Sequence, residues 1–116
     1  MYGLTSVTIP NSAITIGEKA FYYCGGLTSV KIPNSVTLIG DYAFSSCYGL
    51  TSITIGNSVT FIGDRAFGWC SKLNTVKFLG TSAPTCGNGV FSSTEVTTVD
   101  VPSGYEGSDF CGKPLS

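Results

Sequence analysis

Five cysteines are the side chains best suited to chemistry in this 116-residue chain, which contains no histidine. A thiolate can act as a nucleophile or bind a metal, and two thiols can form a disulfide. Cys24, Cys47 and Cys70 are evenly spaced along the sequence. Zinc sites use pairs of ligands about two to four residues apart, and no cysteines are spaced in that way. We therefore predict no metal site and interpret these three residues as a structural column of buried thiols.

Cys86 and Cys111 leave two alternatives open. A disulfide between them would attach the end of the chain to its body, which would suit a secreted protein. Alternatively both remain thiols, because Cys86 falls where the other repeats place isoleucine. A buried thiol is sufficient at such a position.

Other catalytic arrangements find little support in the sequence. Serine is abundant, but no histidine can activate it and no G-x-S-x-G motif is present. The carboxylates Glu18, Asp41 and Asp64 recur at the same interval as the cysteines, and we expect them to cap short helical turns. The sequence therefore predicts no enzyme activity, no catalytic residue and no cofactor.

The composition narrows the choice of partners. Only 11% of the residues are charged and the net charge is −1, whereas about 25% is usual for a globular domain. Such a chain has no basic surface for nucleic acid. Its apolar runs are too short to cross a bilayer. We expect no nucleic-acid partner and no direct membrane insertion.

A sequence repeat of constant length organises the chain and positions all of these side chains. Its pattern is L-x-x-V-x-I-P-N-S-x-x-x-I-G-D-x-A-F-x-x-C, and units start at residues 4, 27, 50, 73 and 96, a step of 23. One extra residue in the fourth unit places Cys86 at the position equivalent to Ile62, and the regular step then resumes at Val96. Repeats of this length indicate a stack of structural units, each completing the core of its neighbour.

Each unit has two halves. The first alternates apolar and polar residues, as in Val30, Lys31 and Ile32, which is typical of a half-buried strand. The second has apolar spacings of three to four, which favours one or two helical turns. The sequence predicts a right-handed α/β-type solenoid of about four and a half coils, with a parallel sheet on one face and short helical turns on the other. We assign residues 1–102 to the solenoid and 103–116 to a C-terminal capping tail.

The repeated I-G-x-x-A-F-x-x-C motif resembles that of the BspA-type leucine-rich repeat family. Three full copies, 4–26, 27–49 and 50–72, carry this resemblance, which extends to about Pro102. It implies a leucine-rich repeat solenoid and an extracellular or cell-surface protein that acts in adhesion or as an interaction scaffold. It implies no catalysis and no cofactor.

The candidate interaction face consists of the outward strand positions, which form two polar rows. These are Ser6, Ser29, Ser52, Thr75 and Thr98, and Thr8, Lys31, Thr54, Lys77 and Asp100. A second candidate surface lies on the other side of each unit, where Tyr22, Tyr23, Tyr42, Tyr48 and Trp69 occupy positions that vary between repeats.

Two functions from different classes fit these features. The first is a protein-interaction or adhesion module, for which a host or extracellular matrix protein is a candidate partner. The alternative is a structural spacer repeat within a larger surface protein. Only Met1–Gly3 precede the first predicted strand, so we also expect an uncapped first coil through which copies could associate end to end.

Overall fold

Seven short strands form two parallel sheets in the computed structural model, which describes residues 5–116. The first sheet has the order β2–β4–β6, and the second has the order β1–β3–β5–β7. The strands are β1 Thr15–Ile16, β2 Ser29–Ile32, β3 Leu38–Ile39, β4 Ser52–Ile55, β5 Phe61–Ile62, β6 Thr75–Phe78 and β7 Thr85–Cys86. Each of the central coils therefore contributes one strand to each sheet, and the chain is a β-solenoid.

Strand register follows the repeat of the sequence. Val30 pairs with Ile53, and Ile53 pairs with Val76, each partner being the equivalent residue of the next repeat. In β2 and β6 exposed and buried residues alternate, because successive side chains of a strand point to opposite faces. The solenoid and the parallel sheet predicted from the periodicity are thus confirmed.

Phenylalanine rings form the clearest of the inward columns. Phe21, Phe44, Phe67 and Phe91 are stacked with centroids 5.0, 5.4 and 5.7 Å apart and with interplanar angles of 13° or less. Phe44 and Phe67 are fully buried. Each coil thus supplies one ring to a core that runs the length of the stack.

The expected short helical turns do not form anywhere in residues 5–116, and tight turns take their place. Left-handed backbone conformations occur in these turns, as at Tyr42 (φ 59°) and Ser46 (φ 61°) in one coil. Left-handed residues interrupt a right-handed helix, which cannot continue through them.

Contacts between coils explain this difference. The N–H of Ala43 donates to Gly40 within its own turn, at 3.3 Å, but the N–H of Phe44 donates to the Ala66 carbonyl of the next coil, at 2.7 Å. Tyr42 and Ser46 likewise donate across the coils, at 3.0 and 2.8 Å. In a helix all of these backbone N–H groups would donate within one segment. In the solenoid every second N–H group donates to the next coil instead and joins the two coils.

The number of complete coils is smaller than the four and a half expected. Residues 5–14 contain no strand, and Leu4 lies outside the described residues. The unit that starts at residue 96 contributes only a single bridge between Asp100 and Lys77 to the first sheet. The solenoid therefore has about three full turns. The first and last units form less regular strands because each has a neighbouring coil on one side only.

The tail covers the last coil. Phe110 is fully buried, and its ring centroid lies 5.0 Å from that of Phe78. Leu115 bridges to Val99. A disulfide joins Cys86 to Cys111, with their Cα atoms 5.4 Å apart, so of the two alternatives for these cysteines the structure adopts the disulfide. The tail is thereby bound both by packing and by a covalent bond.

Candidate interaction surfaces

The first candidate surface is the outward face of sheet β2–β4–β6. Pairing brings Ser29 beside Ser52 and Ser52 beside Thr75, and it brings Lys31 beside Thr54 and Thr54 beside Lys77. We call these two series the strand rows. Neighbouring members are separated by about 4.8 Å, the spacing of paired strands. The rows are exposed or half-exposed and contain no aromatic residue.

The ends of the strand rows are less regular than their centre. Asp100 bridges to Lys77 and so extends one row, and Thr98 lies with Thr75 around a shallow depression of about 180 Å³. Ser6 and Thr8 are exposed but belong to no strand. The structure therefore aligns the predicted residues of the central coils and leaves those of the first coil outside the sheet.

A groove opens where the first coil would complete this sheet. Its volume is about 470 Å³, and its lining includes Val7, Ile9, Lys31 and Asn34. Within residues 5–116 no strand pairs with the outer edge of β2. This edge therefore keeps backbone groups directed at the groove.

The cysteine column is buried. Cys24, Cys47 and Cys70 are free thiols with no exposed surface. Burial raises the pKa of Cys24, and a hydrogen bond with Cys70 together with burial raises the pKa of Cys47. These two thiols are protonated at neutral pH and are poor nucleophiles, which fits a role in packing.

The recurring carboxylates join coils instead of capping helices. One oxygen of Asp41 accepts the N–H of Asp64 at 2.9 Å, and one oxygen of Asp64 accepts the N–H of Asn88 at 2.9 Å. Glu18, in the first coil, is exposed. Across the described part of the chain no three histidine, cysteine or acidic side chains converge on a common point.

The second candidate surface is a cluster of aromatic side chains on the turns. We call it the aromatic patch and define it by Tyr22, Tyr23, Tyr42, Tyr48 and Trp69. These rings surround a cavity of about 260 Å³ whose lining also includes Ser45 and Ser46. Tyr23, Tyr48 and Trp69 remain 38%, 43% and 44% exposed. The sequence predicted the rings as a candidate surface but did not predict that the two serines lie beside them.

Ring contacts hold the aromatic patch together. Tyr23 meets Tyr22 and Tyr48 edge to face, with centroids 4.6 and 5.8 Å apart. A hydrogen bond with Tyr48 raises the pKa of the Tyr23 phenol. Edge-to-face pairs are favourable arrangements for aromatic rings, so these contacts stabilise the arrangement of the patch.

Two cations lie against the rings of the patch. The ammonium group of Lys19 is 5.5 Å from the ring centre of Tyr22 and 6.0 Å from that of Tyr42. The guanidinium carbon of Arg65 is 5.9 Å from the ring of Trp69. These distances are in the range of cation–π contacts, and neither cation lines the cavity.

Parallel strands in register, stacked phenylalanines and inter-coil turns define a leucine-rich repeat solenoid. The chain belongs to the BspA-type leucine-rich repeat family, whose model matches residues 1–108 in six copies. No curated protein matches the sequence significantly. No helix able to cross a membrane occurs among residues 5–116.

Two solved structures are similar to this chain. A leucine-rich repeat protein from Bacteroides ovatus is 35% identical with a TM-score of 0.70, over 79% of this chain and 24% of that one. A leucine rich cell surface protein from Faecalibacterium prausnitzii is 29% identical with a TM-score of 0.54, over 82% of this chain and 31% of that one. The chain thus spans about a quarter to a third of the length of these proteins.

Proposed function

We propose that this chain is a non-catalytic interaction module of a cell-surface protein and that it binds a protein partner through the strand rows. The alignment of the strand rows carries the proposal, because pairing fixes the spacing of Lys31, Thr54 and Lys77 in a rigid sheet. Solenoids commonly bind partners through such extended faces. The family and the cell-surface protein among the solved neighbours support it further.

The size of the strand face sets the expected strength of binding. Three strands about 4.8 Å apart, with roughly 10 Å of outward face each, present about 150 Å². A standard interface buries about 800 Å² per partner. The module alone therefore binds weakly, with a Kd of about 1 μM or higher. Further coils of a longer array would supply the remaining area.

Binding to immobilised fibronectin, laminin and collagen, measured by biolayer interferometry, tests the proposal. The double variant Lys31→Ala/Lys77→Ala removes both cations of the strand rows. The matched control Lys72→Ala/Lys113→Ala removes the same charge outside them. We expect weak binding to at least one matrix protein, lost in the first variant and kept in the second.

Two results would contradict the proposal. One is equal loss of binding in both variants, which would indicate a general charge effect. The other is the absence of binding of the wild-type chain to all three proteins, which would favour the alternative of a structural spacer.

A further inference from the structure

We propose that the aromatic patch is a binding site for a neutral, β-linked oligosaccharide, distinct from the protein-binding strand rows. The patch combines flat rings with hydroxyl groups around one cavity, and each feature matches one part of a sugar. A pyranose with equatorial hydroxyls has C–H groups on its ring faces, which pack on aromatic rings. Its hydroxyls exchange hydrogen bonds with the phenol groups of tyrosines.

The charge of the site favours a neutral ligand. The seven lining residues are four tyrosines, one tryptophan and two serines, none of which is ionised at neutral pH. Lys19 and Arg65 are placed against rings outside the lining, where the rings partly satisfy their charge. An anionic ligand would find no cation in the cavity itself.

The size of the patch is close to that of a small-molecule site. Its three most exposed rings are about two-fifths exposed, and an aromatic side chain presents roughly 150–250 Å² in all. Tyr23, Tyr48 and Trp69 together therefore offer roughly 200–300 Å² of ring surface. The cavity of about 260 Å³ lies just below the roughly 300–1,000 Å³ of small-molecule sites.

The floor of the site is rigid, which lowers the entropic cost of binding. Ser45 and Ser46 are 1% and 5% exposed. The Ser45 hydroxyl donates to the Gly68 carbonyl at 3.1 Å, and the N–H of Ser46 donates to the same carbonyl at 2.8 Å. The turns that present the rings are thereby joined to the next coil.

Tryptophan fluorescence tests the inference directly, because Trp69 is the single tryptophan of the chain. Cellotetraose is the probe, and sorbitol is the control ligand, since it carries hydroxyls but has no ring faces. We expect a saturable change in Trp69 emission with cellotetraose, a Kd of about 1 mM, and no saturable change with sorbitol. The absence of a response to cellotetraose up to its solubility limit, or an equal response to sorbitol, would overturn the inference.

Variants separate this site from the strand rows. Tyr48→Ala removes an exposed ring, and we expect it to weaken cellotetraose binding at least tenfold while unfolding at the same temperature as the wild type. Lys31→Ala/Lys77→Ala should bind cellotetraose as the wild type does, even where its binding to matrix proteins is lost. If Tyr48→Ala binds the sugar unchanged, the aromatic patch is not the site.

Discussion

The thiol of Cys70 donates a hydrogen bond to the backbone carbonyl of Phe44, in the preceding coil, at 3.0 Å. Cys47 donates in the same way to Phe21, at 3.2 Å. Each thiol thus occupies an apolar column and also satisfies a carbonyl of the preceding coil. Cysteine suits this position because it is a small, apolar residue with a weak hydrogen-bond donor.

Replacing Cys70 by alanine should destabilise the protein. The variant leaves a small cavity and removes the donor to the Phe44 carbonyl, so we expect a loss of about 1–3 kcal/mol. Urea unfolding followed by circular dichroism measures it. The neighbouring Ser71 is exposed, and Ser71→Ala should change stability by less than about 0.5 kcal/mol. Equal effects of the two substitutions would contradict a structural role for the thiol.

High pH should weaken the fold. Burial raises the pKa of Cys24 above its ordinary value of 9.0. A hydrogen bond with Cys70 together with burial raises the pKa of Cys47, and the same hydrogen bond lowers the pKa of Cys70. Above pH 9.0 the unfolded chain releases thiol protons that the folded chain retains, so the stability present at neutral pH is lost as the pH rises. Urea midpoints measured across this range should fall. A Cys24→Ala variant removes a thiol whose pKa is raised by burial, and it should lose less stability between neutral and high pH than the wild type.

The disulfide between Cys86 and Cys111 should contribute measurably to stability. It closes a loop with a sequence separation of 25, and removing such a cross-link costs about 2–4 kcal/mol. The double variant Cys86→Ser/Cys111→Ser should therefore unfold at a lower temperature than the oxidised wild type. Reductant should lower the melting temperature of the wild type and leave that of the variant unchanged. Equal melting temperatures of the variant and the oxidised wild type would contradict this prediction.

Ser45 and Ser46 are adjacent and buried but should respond differently to glycine. Ser46 has a left-handed backbone, with φ 61°, which glycine adopts without steric cost. Ser46→Gly should therefore be neutral or stabilise the protein by up to about 1 kcal/mol. Ser45→Gly removes the hydroxyl that bonds to Gly68 and should cost about 1–2 kcal/mol. Thermal unfolding of the two variants measures these changes in stability. A larger loss of stability for Ser46→Gly than for Ser45→Gly would contradict the turn structure.

The first coil should allow copies of the chain to associate end to end. Ala20 is exposed, whereas the equivalent Ala43 and Ala66 are fully buried beneath a preceding coil. We expect light scattering to show a mass that rises from 12.1 kDa towards twice that value with concentration. Ala20→Glu should abolish the rise, whereas Ala83→Glu, at another exposed alanine, should preserve it. A constant monomer mass for the wild type would contradict the prediction.

Much of the architecture could be predicted from the sequence because the constant length of the repeat fixes which side chains point inward. Val30, Ile53 and Val76 have the same position in successive units, and the structure pairs them in that order. The strand rows follow from the same alternation, since a residue between two inward positions points outward. The family could also be predicted, because the motif repeats three times without interruption.

Only the tertiary structure decided the local conformation of the turns and the state of the last two cysteines. Apolar spacings of three to four look the same in a short helix and in a series of tight turns. Which of the two conformations forms depends on whether the backbone N–H of a residue such as Phe44 donates its hydrogen bond within its own segment or to the next coil. Cys86 and Cys111 form a bond because the path of the tail brings them together, and no local pattern determines that path. The sequence thus determined the inward columns through its period, whereas inter-coil hydrogen bonds and tail packing depend on distances that exist only after the coils have stacked.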